Sequence, residues 1–216
     1  MPILEVALPS IRMHTKCSEN MMLGAVVMKQ APVLNEREKQ RMMQHLQRTS
    51  YAARNRCMLQ LSWLAGMRVG EIAALDVGDV LGADGAIRAE IQLRADQTKG
   101  DQARTVLVNS QLQAELERYI KTLNQQLDLK RALIASKTGK RFSANGLCQR
   151  FLQLYDTAGL DKVTSHSGRR TFITGLAHKG VNVRVLAALA GHRNISTTQR
   201  YIELNDHVLR EAVELV

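Results

Sequence analysis

Six side chains spread over the last two-thirds of the sequence, Arg68, Lys99, His166, Arg169, His192 and Tyr201, form the set needed to cut a phosphodiester without a metal. They amount to two guanidiniums, one ammonium, two imidazoles and a phenol. In-line attack on a phosphodiester passes through a phosphorane-like state whose equatorial oxygens carry extra charge. Planar guanidiniums match those oxygens with paired hydrogen bonds, so two arginines from distant segments should converge. His166 and Arg169 are one helical turn apart and share a face at a helix start, where backbone N–H groups also favour an anion.

Each of these residues also has an ordinary reading. Arg68 with Glu71 three residues on is equally an (i, i+3) ion pair in a helix-to-helix turn. His-x-x-Arg alone is mostly a capped helix start, a turn lysine is usually solvated, and a half-buried tyrosine donating one hydrogen bond is the default for Tyr51, Tyr119 and Tyr155. Competing chemistries find less support. Asp76 and Asp79 lack a third carboxylate, so no metal site is expected. No Gly-x-x-x-x-Gly-Lys-Ser/Thr loop is present, so no nucleotide cofactor is expected either, and serine or cysteine schemes lack a partner set.

The 216 residues can bury one sizeable core, and 45% apolar with 23% charged residues is ordinary globular composition. Thirty Lys and Arg against 20 Asp and Glu give a formal charge of +10, which favours a polyanionic partner, nucleic acid or an acidic membrane surface. Cys17, Cys57 and Cys148 are odd in number and match no zinc spacing, so they are read as reduced thiols of a cytoplasmic protein. No apolar run approaches the ~20 residues of a membrane span.

The elements that must position the six residues are mostly helical. All three prolines lie before residue 33, and residues 1–34 are read as an arm or partial lead-in to a domain over 35–216. Asn35 with Glu38 forms a capping-box start for a helix to about Arg48, with Met42, Met43 and Leu46 as its apolar stripe. Helices are expected at about 51–65 and 71–75. After a turn at Ala83-Asp84-Gly85 come two extended runs, 86–93 and 104–108, with Lys99 near the hairpin tip. Further helices are expected at about 110–127, 144–158, 168–178, 183–190, 197–202 and 206–215, with Gly180 and Gly191 as stops. The fold class is therefore mainly α with a small antiparallel β-sheet.

Two segments carry a resemblance. His166-Ser167-Gly168-Arg169-Arg170 and Ala190-Gly191-His192-Arg193-Asn194-Ile195-Ser196-Thr197-Thr198-Gln199-Arg200-Tyr201 are similar to the C-terminal signature of the tyrosine recombinases, or phage-integrase family. Gly66-Met67-Arg68-Val69-Gly70-Glu71 resembles the family's Gly-x-Arg-x-x-Glu box. The resemblance covers roughly 35–216 and implies helices around a small three-stranded sheet. It implies Arg68 and Arg169 as phosphate-binding arginines, Glu71 as the carboxylate orienting Arg68, and His192 as a donor to a non-bridging oxygen. Tyr201 would be the nucleophile that forms a 3′-phosphotyrosine, with His166 its candidate base, since a free phenol ionises near pH 10. Lys99 resembles the hairpin lysine that protonates the departing 5′-oxygen.

The implied partners are double-stranded DNA and further copies of the chain, as a tetrameric synapse. Lys137, Lys140, Arg141, Arg170 and Arg193 are expected to touch DNA, positioning it without reading sequence. A DNA-binding regulator or truncated remnant of the same fold, catalytically silent, is the alternative. Two departures from the family pattern stand out. Gly168 occupies a position where the family usually has Leu, so a looser helix start is expected there, at a cost of about 1 kcal/mol. Only 34 residues precede Asn35, where family members commonly carry a helical DNA-clamping domain, so no full core-binding domain is expected. The apolar stripe of the final helix, Val208, Leu209, Ala212, Val213 and Val216, suits its own core or a neighbouring subunit.

Overall fold

Asn35 opens the first helix as its sequence requires. In the computed structural model, which describes residues 30–123, 128–201, 210, 213 and 214, the Asn35 side chain accepts from the Glu38 N–H and the Glu38 carboxylate accepts from the Asn35 N–H. Helix α1 runs Glu36–Gln47 and buries Met42 and Leu46. Just before it, Leu34 is buried and donates its N–H to Thr171 Oγ1. A compact unit spans Ala31–Val216.

Helix α2, Ala52–Ala65, is the hub. It is buried on nearly every side, from Cys57, Met58, Leu59 and Leu61 to Trp63, and packs against α1, α3, α5 and α7. Its end is sharp because Gly66 takes a left-handed conformation, φ 61°, that side chains rarely adopt. A Cβ on Gly66 would also fall 2.5 Å from the Phe172 ring. Helix α3, Val69–Ala74, starts two residues earlier than its periodicity suggests, and a four-residue helix α4, Val77–Val80, follows without having been expected. Asp76 and Asp79 are structural in this turn: Asp79 accepts from the Asp76 N–H, Arg94 pairs with Asp79, and Arg141 pairs with Asp76.

Among the described residues the sheet has two strands, β1 (Glu90–Leu93) and β2 (Arg104–Leu107), antiparallel with Leu93 opposite Arg104. Ile91, Leu93 and Val106 face the core. The expected first run is shortened because Ile87 makes only an isolated bridge to Leu81. Helices α5 (Ser110–Ile120), α6 (Ala144–Thr157), α7 (Ser167–His178), α8 (Val183–Ala190) and α9 (Ile195–Gln199) complete the fold. Helix α5 ends at Ile120, where Lys121 caps it and a turn follows, short of the expected 127, and α9 starts two residues before the expected 197 and ends at Gln199, short of 202. Most of the C-terminal helix with its apolar stripe lies outside the described residues, apart from Val213, which is exposed.

Gly168 is not a loose start. It is buried in the first turn of α7, and a Cβ there would meet Ser62 Oγ at 2.4 Å and Trp63 Cδ1 at 2.5 Å. The missing side chain lets α7 approach α2 closely, and Trp63 is fixed in turn by its N–H donating to Tyr155 Oη at 3.1 Å. The cost in helix propensity is exchanged for interhelix packing.

Candidate active site

The site is built on three chain reversals that meet: the one after α2, the start of α7 and the one after α8. Arg68 lies in the first, and its Nη1 donates to Glu71 Oε1 at 2.8 Å while its backbone N–H donates to Oε2 of the same carboxylate. Glu71 is 1% exposed. Behind it stands Arg104, at the start of β2, with Nε and Nη2 donating to the two carboxylate oxygens at 3.1 and 2.7 Å. Burial alone would raise the Glu71 carboxyl, but the hydrogen bonds and charge of Arg104, then Arg68, outweigh it and hold the group below the usual carboxylate range. Sequence reasoning missed Arg104. Its nearest signal is its place directly after the lysine turn, and its partner is 33 residues away in the chain.

Arg169 is 6% exposed and held from two sides, Nη1 donating to Gly66 O at 2.6 Å and Nη2 to Ala190 O. Burial and then the nearby Arg68 push it down to about 9, which keeps it charged at neutral pH. His166, the residue preceding α7, is exposed, and its imidazole lies below its ordinary value through partial desolvation and then through Arg169, Lys99 and Arg68. An imidazole so placed is neutral at pH 7 and able to accept a proton.

Gly191 ends α8 in the left-handed region, φ 61°, and a Cβ there would meet Arg104 Cδ at 2.6 Å. Arg68 Nη2 donates to the Gly191 carbonyl at 3.3 Å, next to the carbonyl that holds Arg169. The two guanidiniums therefore converge on adjacent residues immediately before His192. His192 Nδ1 is 2.8 Å from Oγ1 of the fully buried Thr198, and its backbone N–H donates to Ala187 O. Either group can donate in this pair, and in the tautomer where the Thr198 hydroxyl donates to Nδ1 the ring proton lies on Nε2. Burial, then Arg169, Arg68 and Arg104, lower this imidazole to about 4. Its ring stacks on that of Tyr201, with centroids 6.1 Å apart and planes 19° apart. Tyr201, half-buried, follows α9 with its N–H donating to Thr198 O.

Lys99 is exposed on the turn between the strands and lines, with Arg68, His192 and Arg193, a cleft of about 560 Å³. All six residues read from the sequence thus belong to one neighbourhood. The basic residues expected on DNA divide differently. Lys137 and Lys140 are exposed on a tight turn closed by Ser136 N–H donating to Lys140 O. Arg141 instead closes α3, donating to Ala73 O and Leu75 O and pairing with Asp76. Arg170 lies over the Tyr201 ring at 5.8 Å, with its Nε buried and unpartnered among the described residues. Arg193 donates to Gln102 Oε1 and Gly100 O of the lysine turn. These engagements arise because guanidiniums satisfy free carbonyls at helix ends and turns, which charge clustering in a sequence does not reveal.

Two cations on adjacent carbonyls, a neutral imidazole and a phenol beside them are equipped to hold a tetra-oxygen anion against a hydroxyl nucleophile. Among the described residues no three His, Cys, Asp or Glu side chains are grouped as metal ligands, and no helix is long and apolar enough to cross a membrane.

Comparison with known proteins shows the family. The chain is similar to the tyrosine recombinase XerD of Oceanobacillus iheyensis, 29% identical over 184 residues that are 83% of this chain and 60% of the relative. It is 33% identical to XerD of Staphylococcus epidermidis over 73% of this chain and 52% of the relative, and 32% identical to XerC of Herpetosiphon aurantiacus over 73% and 50%. It spans about half to three-fifths of the length of these relatives. Among solved structures it is similar to XerA recombinase, with a TM-score of 0.66, 28% identity, and coverage of 85% of this chain and 62% of that one. The fold also matches that of XerH site-specific recombinase bound to palindromic difH substrate, a post-cleavage complex, with a TM-score of 0.63, 22% identity and coverage of 90% and 55%. The phage integrase family model matches residues 32–207, and the chain belongs to that family, the tyrosine recombinases.

Proposed function

We propose that this chain is a site-specific recombinase that cleaves and rejoins double-stranded DNA through a 3′-phosphotyrosine intermediate. The observation that carries this reading is the convergence of Arg68 and Arg169 on the Gly191 and Ala190 carbonyls, directly ahead of a His192 ring stacked on Tyr201. The scissile phosphate would lie against the two guanidiniums, whose remaining N–H groups, with His192 Nε2–H, take the charge that builds on its non-bridging oxygens. Tyr201 Oη attacks phosphorus, passing its proton to His166, and the bond to the 5′-oxygen breaks as Lys99 supplies a proton to that oxygen. Reversal with a different 5′-hydroxyl rejoins the strand. The phosphotyrosine bond keeps the energy of the broken one, so the scheme needs neither ATP nor a metal. Lys137 and Lys140 are suited to backbone phosphates, and strand exchange between two duplexes requires four copies in a synapse.

The test is a nicked suicide duplex, from which the cleaved flank diffuses away, offered as a family-type site and as a scrambled duplex. Covalent product on the site-containing duplex only is expected. Equal binding of both duplexes with no covalent product would instead make the chain a silent DNA-binding protein.

A further inference from the structure

Lys99 is carried by a strained turn with its own internal closure. Thr98 Oγ1 donates to Gln102 O at 2.6 Å and accepts from the Gln102 N–H at 3.2 Å, bracketing Lys99, Gly100 and Asp101. Gly100 at φ 95° and Asp101 at φ 51° are consecutive left-handed residues, the second of them non-glycine. Such backbone persists where surrounding contacts hold it. One contact comes from the far side of the cleft. Arg193 follows His192, and its Nε donates to Gln102 Oε1 at 2.9 Å while Nη2 donates to the Gly100 carbonyl. A Cβ on Gly100 would lie 3.3 Å from that Nη2, so the glycine leaves room for the guanidinium. The fork reaches two acceptors on one turn from one rigid plane, which a lysine ammonium does not do in the same way. The backbone carrying the fork is itself fixed, through His192 N–H on Ala187 O and His192 Nδ1 on Thr198.

We propose that Arg193 is a positioning residue for Lys99: its two hydrogen bonds tie the lysine turn to the His192 segment and so place the ammonium at the departing 5′-oxygen. This rests on the reading of Lys99 as the proton donor. It differs from the sequence expectation, in which Arg193 touches a DNA phosphate.

A leaving group that needs no proton separates the possibilities. Replacing the bridging 5′-oxygen of the suicide duplex by sulfur creates a thiolate leaving group, whose conjugate acid has a pKa of about 8.5. Single-turnover cleavage at saturating protein would be compared on the oxygen and sulfur duplexes for wild type, Lys99→Ala, Arg193→Ala and Gln102→Ala. Arg193→Ala should slow the oxygen duplex about tenfold or more, less than Lys99→Ala, because a misplaced acid retains part of the effect of a well-placed one. On the sulfur duplex both variants should return to within about twofold of wild type. Gln102→Ala should show the same pattern more weakly, since the bond to Gly100 O remains.

An Arg193→Ala defect of equal size on both duplexes, with Lys99→Ala rescued, would overturn the proposal and leave the role of Lys99 intact. So would wild-type cleavage of the oxygen duplex by Arg193→Ala. A Lys99→Ala variant that sulfur does not rescue would remove the proton-donor reading itself, and the proposal with it. Loss of affinity with a salt slope smaller by about 0.9 and no difference between leaving groups would return Arg193 to a phosphate contact.

Discussion

Arg169 donates to two backbone carbonyls and still has three of its five N–H groups for a ligand. In the proposed reaction this anchoring means that little reorganisation is needed when a phosphate arrives, which is the condition under which charge stabilisation is strongest. The same cations set the state of His192. Burial and three arginines hold its imidazole at about 4, so it stays neutral in the DNA-free protein at pH 7. The unfolded chain, with an ordinary value of about 6.5, takes up that proton first, so the fold loses stability as pH falls from about 6.5 through about 4. Two-dimensional NMR should place the His192 titration near 4, and His192→Asn should flatten the dependence of the urea midpoint over that window. Bound DNA phosphate should raise the same pKa, because an anion beside the ring favours its charged form. At this scale the sequence was informative where residue type and spacing are local: Arg68 with Glu71, His166 with Arg169, and His192 nine residues before Tyr201. Arg104 was not legible, because its meaning depends on a buried carboxylate supplied by a distant helix.

Helix α7 presents Arg169 to the site only because its first turn lies hard against α2. Gly168 provides that approach, and the absent side chain is filled by Ser62 and Trp63. Gly168→Ala should therefore destabilise the protein by about 1–3 kcal/mol through overpacking, despite the better helix propensity of alanine. A denaturant titration reads this directly, and a stabilised variant would contradict the packing described. From sequence alone the glycine looks like a weak helix residue, since helix propensity is local and the Trp63 ring facing it is not. Helix starts governed by a side-chain cap, such as Asn35 with Glu38, were readable to the residue. The four-residue α4 and the true ends of β1 were not, because both depend on bridges and carbonyl contacts with distant segments, Gly78 N–H on Leu129 O among them.

The whole chain carries a formal charge of +10, and a share of its basic residues is committed internally. Arg104 and Arg141 satisfy carboxylates and carbonyls, while Lys137 and Lys140 lie on an exposed turn. Replacing both lysines by alanine should lower the slope of log affinity against log salt by about 1.8, two phosphate contacts at roughly 0.9 each, with little change in sequence preference. Fluorescence anisotropy over a range of salt measures it, and an unchanged slope would place the DNA elsewhere. In the proposed reaction, strand cleavage turns on one hydroxyl, that of Tyr201. The most direct measurement is incubation of wild type and Tyr201→Phe with a nicked suicide duplex in EDTA, followed by a denaturing gel and mass spectrometry of the DNA-linked peptide. A covalent band in wild type alone, indifferent to the chelator and mapping to Tyr201, is the expected result; a band that persists in Tyr201→Phe, or maps to another residue, would contradict it.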